Sequence, residues 1–350
     1  MRKKKILDID FGIKTMHKSF IPSRMSSKLF YGLYQLEEEY DIEYYSLHHF
    51  DIKGNIKNNI KVLGNYDIIF QTYLFIQPII LLAILRRLGL YKKRKMIAIC
   101  HLGLKRSNSF ISKKLLRMIY GAYDKLLFHS AMNMKESIEL GIVNKEKCDT
   151  LIWGEDLNFI NNNCKLEFGD YYISTGRECR DFVTLIHAFD RFNKTKLEIY
   201  TNIINYDNNY SSLIAEQGKH PNIKITFVEK SEKTSNELVK KTANSYCVVI
   251  PININDIYYC VGLTSVIEAM AMAKPIISTR NPYSPIDIEK EGIGFFVNSD
   301  KEWEKAIEYL SSHPKEAFSM GQKARRLAES KYNIQTCSNQ LKRLFNSPTK

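Results

Sequence analysis

Short apolar runs rich in isoleucine, valine, leucine and tyrosine alternate along this chain with stretches of helical periodicity, and the alternation runs through twice. The first series has runs at 5–9, 42–47, 68–71, 96–100, 125–129 and 150–152, with helical patterns near 24–39, 75–90, 110–121 and 132–140. The second has runs at 171–174, 196–200, 223–228, 247–250, 275–278 and 295–297, with helical patterns near 182–192, 210–217, 234–243, 264–272 and 300–311. Short apolar runs separated by helices read as buried strands of a parallel sheet. Two series predict an α/β chain of two parallel-sheet domains, and 350 residues are enough for both. The polar stretch Asn161-Asn162-Asn163-Cys164-Lys165 reads as the linker, which gives domains at 1–162 and 166–334. Beyond 311 the chain turns helical, with Pro314 suited to a first helical turn. Ligands of such sheets sit beyond the carboxyl ends of the strands, so the expected site is a cleft between the domains.

Charge is divided unevenly between the halves. The net charge is +13, but residues 1–165 hold 27 Lys+Arg against 16 Asp+Glu, while residues 166–350 hold 24 against 22. No acidic residue occurs from Ile68 to Tyr123. An acidic partner therefore meets the first half: nucleic acid, an anionic membrane or a phosphorylated substrate. No nucleic-acid signature accompanies the charge, so nucleic acid is not expected. At helical spacing Ile111, Leu115, Met118 and Ile119 share one face, with Lys113, Lys114 and Arg117 opposite. Residues 81–117 are the candidate contact with an anionic membrane surface.

The seven cysteines form no C-x-x-C pair, which points to free thiols in a reducing compartment and to neither zinc nor a disulfide framework. The basic start, Arg2 to Lys5, runs into Asp8 and Asp10 and not into an apolar signal region. The longest apolar run, 73–85, falls short of the ~20 residues a membrane span needs. A cytoplasmic protein, peripheral at the inner face of a membrane, is expected.

Two blocks carry chemistry. In Gly262 to Thr279 a loop leads to a helix starting near Thr264, with Thr264 or Ser265 as its cap. The N–H groups and dipole of such a helix start favour a phosphate. Glu268, one turn in, is placed to accept hydrogen bonds from sugar hydroxyls. In Ser174 to Phe182 a strand runs into a turn at Gly176 that presents Arg177 and Arg180 before a helix. Guanidinium groups bind diphosphate oxygens in pairs. The plainer alternatives are a well-capped helix and a surface turn with a local Arg180–Asp181 ion pair. Asp8-Ile9-Asp10 has the spacing of a metal-binding pair, but its place on the first strand reads as strand-end carboxylates.

Together, Gly176-Arg177 with Arg180 and the helix Glu268-Ala269-Met270-Ala271-Met272-Ala273-Lys274-Pro275 resemble the C-terminal domain of the family 4 retaining glycosyltransferases of GT-B fold. The turn Ile152-Trp153-Gly154-Glu155-Asp156-Leu157-Asn158-Phe159 and the segment from Ser130 to Gly141-Ile142 are similar to that family's as well. The resemblance is dense from about 125 to 335 and topological before that. It implies two Rossmann-like domains facing across a cleft, with a final helix in 335–350 crossing back to the first. It implies transfer, with retention, of a hexose-type sugar from a nucleotide-diphosphate donor to a glycan or lipid-linked acceptor, in surface polysaccharide assembly, without a metal or other cofactor.

The resemblance also implies residue roles. Arg177 and Arg180, on the Gly176 turn, hold the diphosphate, and Glu268 holds the ribose. Backbone amides of Val261, Gly262, Leu263 and Thr264 reach the sugar and β-phosphate. His101 reaches the donor sugar, and Gly12 belongs to the acceptor and phosphate side. One position departs: Cys260 stands where the family has a glutamate that contacts the donor sugar, and a thiol is a far weaker partner. Asp256 is a carboxylate four residues earlier. This departure motivates a second reading, a non-catalytic GT-B relative acting as partner of an active transferase.

Overall fold

The computed structural model describes the whole chain except residues 1, 108, 206, 207, 230, 255, 256, 258, 349 and 350 and the side chains of 205 and 208. It separates into two compact units. The first holds residues 1–21, 27–153 and 334–350, and the second holds 22–26 and 154–333.

In the first unit the chain runs β1 (Lys5–Asp10), α1 (Ile13–Ser19), β2 (Asp41–Ser46), α2 (Ile52–Val62), β3 (Ile68–Gln71), α3 (Ile80–Arg87), β4 (Lys95–Cys100), α4 (Phe110–Gly121), β5 (Lys125–Phe128), α5 (Ala131–Glu139) and β6 (Cys148–Thr150). The six strands make one parallel sheet in the order β2-β1-β3-β4-β5-β6. Every residue of β3 and β4 is buried, as a parallel sheet covered on both faces requires.

Two local expectations fail here, and one helix is not expected at all. Residues 24–39 form no long helix but two short 3-10 turns, Ser27–Phe30 and Tyr34–Leu36. Tyr31 and Gly32 between them have positive φ, and a Cβ on Gly32 would lie 2.7 Å from the Ser338 amide nitrogen. α2 is unforeseen, because Gly54 and its asparagines are poor helix formers. Asp51 caps it by accepting from the Gly54 amide at 2.6 Å, and Asn58 exchanges two hydrogen bonds with the His48 backbone. In α4 the buried side is Leu116, Ile119 and Tyr120, so Ile111 and Leu115 face out beside Lys113, Lys114 and Arg117.

The second unit runs α6 (Leu157–Asn163), β7 (Tyr171–Thr175), α7 (Phe182–Asp190), β8 (Lys196–Thr201), the short pair β9 (Ile204–Asn205) and β10 (Asn208–Asn209), β11 (Ile223–Phe227), α8 (Glu232–Ala243), β12 (Cys247–Ile250), α9 (Leu263–Ala271), β13 (Ile276–Thr279), β14 (Gly294–Val297), α10 (Asp300–Ser312) and α11 (Pro314–Ser330). Its six-stranded parallel sheet has the order β11-β8-β7-β12-β13-β14. The winding direction reverses between β7 and β12, the position where doubly wound sheets take their ligands.

Asn161 to Asn163, expected as a linker, are the last turn of α6, and Arg325 donates to Asn161 Oδ1 at 2.7 Å. The division between units falls earlier, between Trp153 and Gly154. The last helix, α12 (Ile334–Asn346), belongs to the first unit. There the buried Lys95 ammonium donates to the carbonyls of Leu344 at 2.6 Å and Phe345 at 3.3 Å, a cation at a helix C-terminus.

α9 ends with Lys274 N–H bonding to Ala269 O and Ala273 N–H to Met270 O. This pairing leaves Ala273 at φ 57, a conformation that glycine accepts and an L side chain resists. We expect Ala273→Gly to stabilise the protein by about 0.5–1 kcal/mol, the relieved strain less the added freedom of the unfolded chain. Thermal melting checks this, and an unchanged or lower midpoint would contradict the strain.

Candidate functional site

At the carboxyl end of β7 the backbone turns at Gly176, whose φ is 151. Arg177 follows, exposed, and Arg180 folds back underneath, only 8% exposed. Its Nη1 donates to Glu178 O at 2.7 Å and its Nη2 to Ser265 Oγ at 3.3 Å, while its buried Nε finds no partner among the described residues. A Cβ on Gly176 would sit 2.5–2.8 Å from the guanidinium, so the turn and the buried cation require each other. Burial pushes the Arg180 pKa below its ordinary value. Arginine keeps its proton nonetheless.

The loops after β7 and β12 are joined directly. Arg180 and Ile252 form an antiparallel bridge, with Asp181 N–H bonding to Pro251 O and Asn253 N–H to Cys179 O. The Tyr210 hydroxyl accepts from the Arg180 amide at 2.9 Å and donates to Arg177 O at 3.1 Å. Asp181 caps α7 by accepting from the Thr184 amide.

α9 starts one residue earlier than expected, at Leu263, and Thr264 and Ser265 do not cap it. Gly262 is the cap residue, at φ 85, and has no side chain to bond the helix start. Thr264 is exposed, and Ser265 Oγ donates to Thr175 O at 3.2 Å. Leu263 N–H bonds to Cys260 O, and Asn281 Nδ2 donates to both Tyr259 O and Val261 O, fixing the loop before the helix. Glu268 is half-buried one turn in. Burial pushes the Cys260 thiol up to about 11, so it stays protonated at neutral pH. Asp256 lies outside the described residues.

One sheet edge thus carries Gly176, Arg177, Arg180, Cys260, Val261, Gly262, Leu263, Thr264 and Glu268. Tyr210, Ser265 and Asn281 hold it in shape. Tyr210 and Asn281 act through contacts distant in sequence, and nothing in the linear pattern marks them.

His101 and Gly12 belong to the first unit. Gly12 has φ 73 at the start of α1, with open space around it. The His101 ring stacks on Tyr73 with 4.8 Å between centroids, and its Nε2–H donates to Thr72 O at 3.0 Å. That bond assigns the lone pair to Nδ1. Burial lowers the His101 pKa to about 4, so the ring is neutral. His129 lies 5.1 Å away, donates through Nδ1 to Leu151 O, and is lowered to about 3 by burial. Asp8 and Asp10 project from the same face of β1. Asp8, fully buried, accepts from the Thr72 hydroxyl at 2.8 Å, and burial raises it to about 8. Burial raises Asp10 to about 6.

Solved structures share this architecture. A glycosyltransferase from Rickettsia africae superposes with a TM-score of 0.70 at 15% identity, covering 99% of this chain and 100% of its own. HepE from Anabaena, solved with UDP and glucose, gives 0.66 at 14% identity over 98% of this chain and 100% of its own. Sucrose-phosphate synthase from Thermosynechococcus elongatus gives 0.67 at 13% identity over 98% of each chain. The chain has the GT-B fold, two Rossmann-like domains. No family model matches it, and no curated protein matches it in sequence.

The raised Asp8 carboxyl has a definite sign in stability. A folded pKa above the unfolded one adds stability at low pH, and that stability is lost as pH rises from about 4 through 8. Asp8→Asn removes the loss. Its gain over wild type should grow from about 1–2 kcal/mol at pH 5 to several kcal/mol at pH 8. Urea unfolding of both proteins at the two pH values measures it, and equal gains would show that Asp8 is ionised in the folded chain.

Proposed function

We propose that this protein transfers a hexose-type sugar from a nucleotide-diphosphate donor to a glycan or lipid-linked acceptor, with retention, in the manner of family 4 and in surface polysaccharide biosynthesis. The observation that carries the reading is the joined pair of strand ends, β7 and β12, where Arg177, the buried Arg180 and the Gly262 start of α9 converge on the winding reversal. The solved complexes of HepE with UDP and glucose support the donor class.

The chemistry suits the arrangement. The bond from the sugar C1 to the diphosphate oxygen breaks, its electron pair leaves with the phosphate, and negative charge grows there. Arg177, Arg180 and the amides of Val261 to Thr264 are fixed before the reaction, so they stabilise that charge without reorganising. Glu268 takes the ribose hydroxyls. The acceptor hydroxyl oxygen bonds to C1 on the same face and gives its proton to the leaving phosphate. His101 offers a neutral acceptor, Nδ1, to a sugar hydroxyl. No step needs a metal. The acceptor is presented at an anionic membrane surface that meets residues 81–117, where the protein is peripheral. No helix of the described residues is long and apolar enough to cross a membrane.

Cys260 favours the second reading, a non-catalytic partner of an active transferase, because a neutral thiol replaces a charged acceptor for the donor sugar. Titration calorimetry with UDP-, GDP- and dTDP-sugars separates the two, since the partner reading expects no binding. Arg177→Ala and Glu268→Ala should each lower transfer by about a hundredfold or more. Turnover near wild type in either variant would remove the site assignment.

A further inference from the structure

We infer that α2, α3 and α4 form one surface that inserts into the headgroup boundary of an anionic lipid bilayer. Their inner sides pack on a single core through Val62, Leu82, Ala83, Leu116 and Ile119. α3 contacts both α2 and α4, so their outer sides form a continuous layer.

That outer layer is unusual for a water-facing surface. α2 turns Ile52, Ile56 and Ile60 outward at one-turn spacing, with Ile52 81% exposed. Ile84 on α3 and Leu88 just past its end do the same, and Phe110 and Ile111 on α4 are 78% and 79% exposed. Isolated exposed apolar residues are ordinary, but stripes on three adjacent helices are not. None of the three helices contains an acidic residue. Lys53, Lys57, Arg87, Lys113 and Lys114 rise among the apolar side chains, exposed and with no ion pair among the described residues.

Charge chooses the occupant. A second copy of this chain would set basic helices against basic helices. Nucleic acid would satisfy the cations and leave the isoleucine stripe in water. An anionic bilayer satisfies both, taking the apolar side chains at the acyl boundary and the ammonium groups among its headgroups. The inference extends the membrane-presented acceptor of the proposed function and rests on that reading only for its purpose.

The test is co-sedimentation of the full chain with vesicles of phosphatidylcholine, alone or mixed with phosphatidylglycerol. Wild type should bind the anionic vesicles and hardly bind the neutral ones. Lys113→Glu/Lys114→Glu and Ile52→Ser/Ile56→Ser/Ile60→Ser change only exposed side chains, and each should weaken binding about tenfold or more. The isoleucine variant should also lose its residual binding at higher salt, because it keeps mainly the screened charge term. Thermal shift with UDP, run on all three proteins, reports the donor site separately. Absent vesicle binding with intact UDP binding overturns this inference alone, and absent UDP binding in wild type overturns the transfer reading alone. Vesicle binding that ignores both variants, a concentration-dependent dimer abolished by the isoleucine changes, or DNA binding that ignores them would each overturn the bilayer assignment.

Discussion

Burial of the Arg180 guanidinium organises the second domain's site. A cation that keeps its charge in a dry environment must be met by acceptors, and among the described residues two neutral ones bond it, Glu178 O and Ser265 Oγ. Neutral acceptors bond the charge without cancelling it, and the nearby Glu178 carboxylate offsets part of its field. The rest of the local design follows from holding that group. Gly176 leaves room for it, Tyr210 fixes the backbone around it, and the bridge to Ile252 ties its loop to the end of β12. Ser265 connects the same cation to α9, so cation and helix start cannot move independently.

The first domain uses charge in the opposite way. Its buried Asp8, His101 and His129 are kept neutral, since burial raises Asp8 to about 8 and lowers the two rings to about 4 and 3, while Asp10 at the end of β1 is raised only to about 6. Its excess of basic residues lies instead on the outer sides of helices such as α4. The excess positive charge is therefore presented by the helical layer. Apart from Asp10, the strand ends offer neutral polar and aromatic groups, suited to hydroxyls and rings.

Strand positions were legible because buried parallel strands are short continuous apolar runs, and the run that continues through α3 is set apart by being longer than a strand. The blocks around Arg177 and Glu268 were legible because each sits in a short contiguous segment. What escaped depends on distant contacts. α2 is built from poor helix formers and stands on its Asp51 cap and on Asn58. The wheel drawn for α4 assumed that apolar residues mark the buried side, and Ile111 and Leu115 break that assumption. The cap assigned to Thr264 or Ser265 failed because Ser265 is occupied by Thr175 and Arg180, and no local pattern reports that competition.

The thiol at position 260 separates two properties that a glutamate there would join. The loop around it is held by Asn281, which binds the carbonyls of Tyr259 and Val261, and by the Leu263 N–H to Cys260 O bond. None of these bonds uses the side chain of residue 260. Exchanging a carboxylate for a thiol therefore leaves the amides at the start of α9 in place and changes only what the side chain offers. Under the proposed function, Arg177, Arg180 and those amides would still meet the diphosphate, while the protonated Cys260 would accept only weakly from a sugar hydroxyl. On the proposed reading, recognition of the diphosphate and selection of the sugar become separate functions of this edge, and only the second is altered by the residue this chain carries.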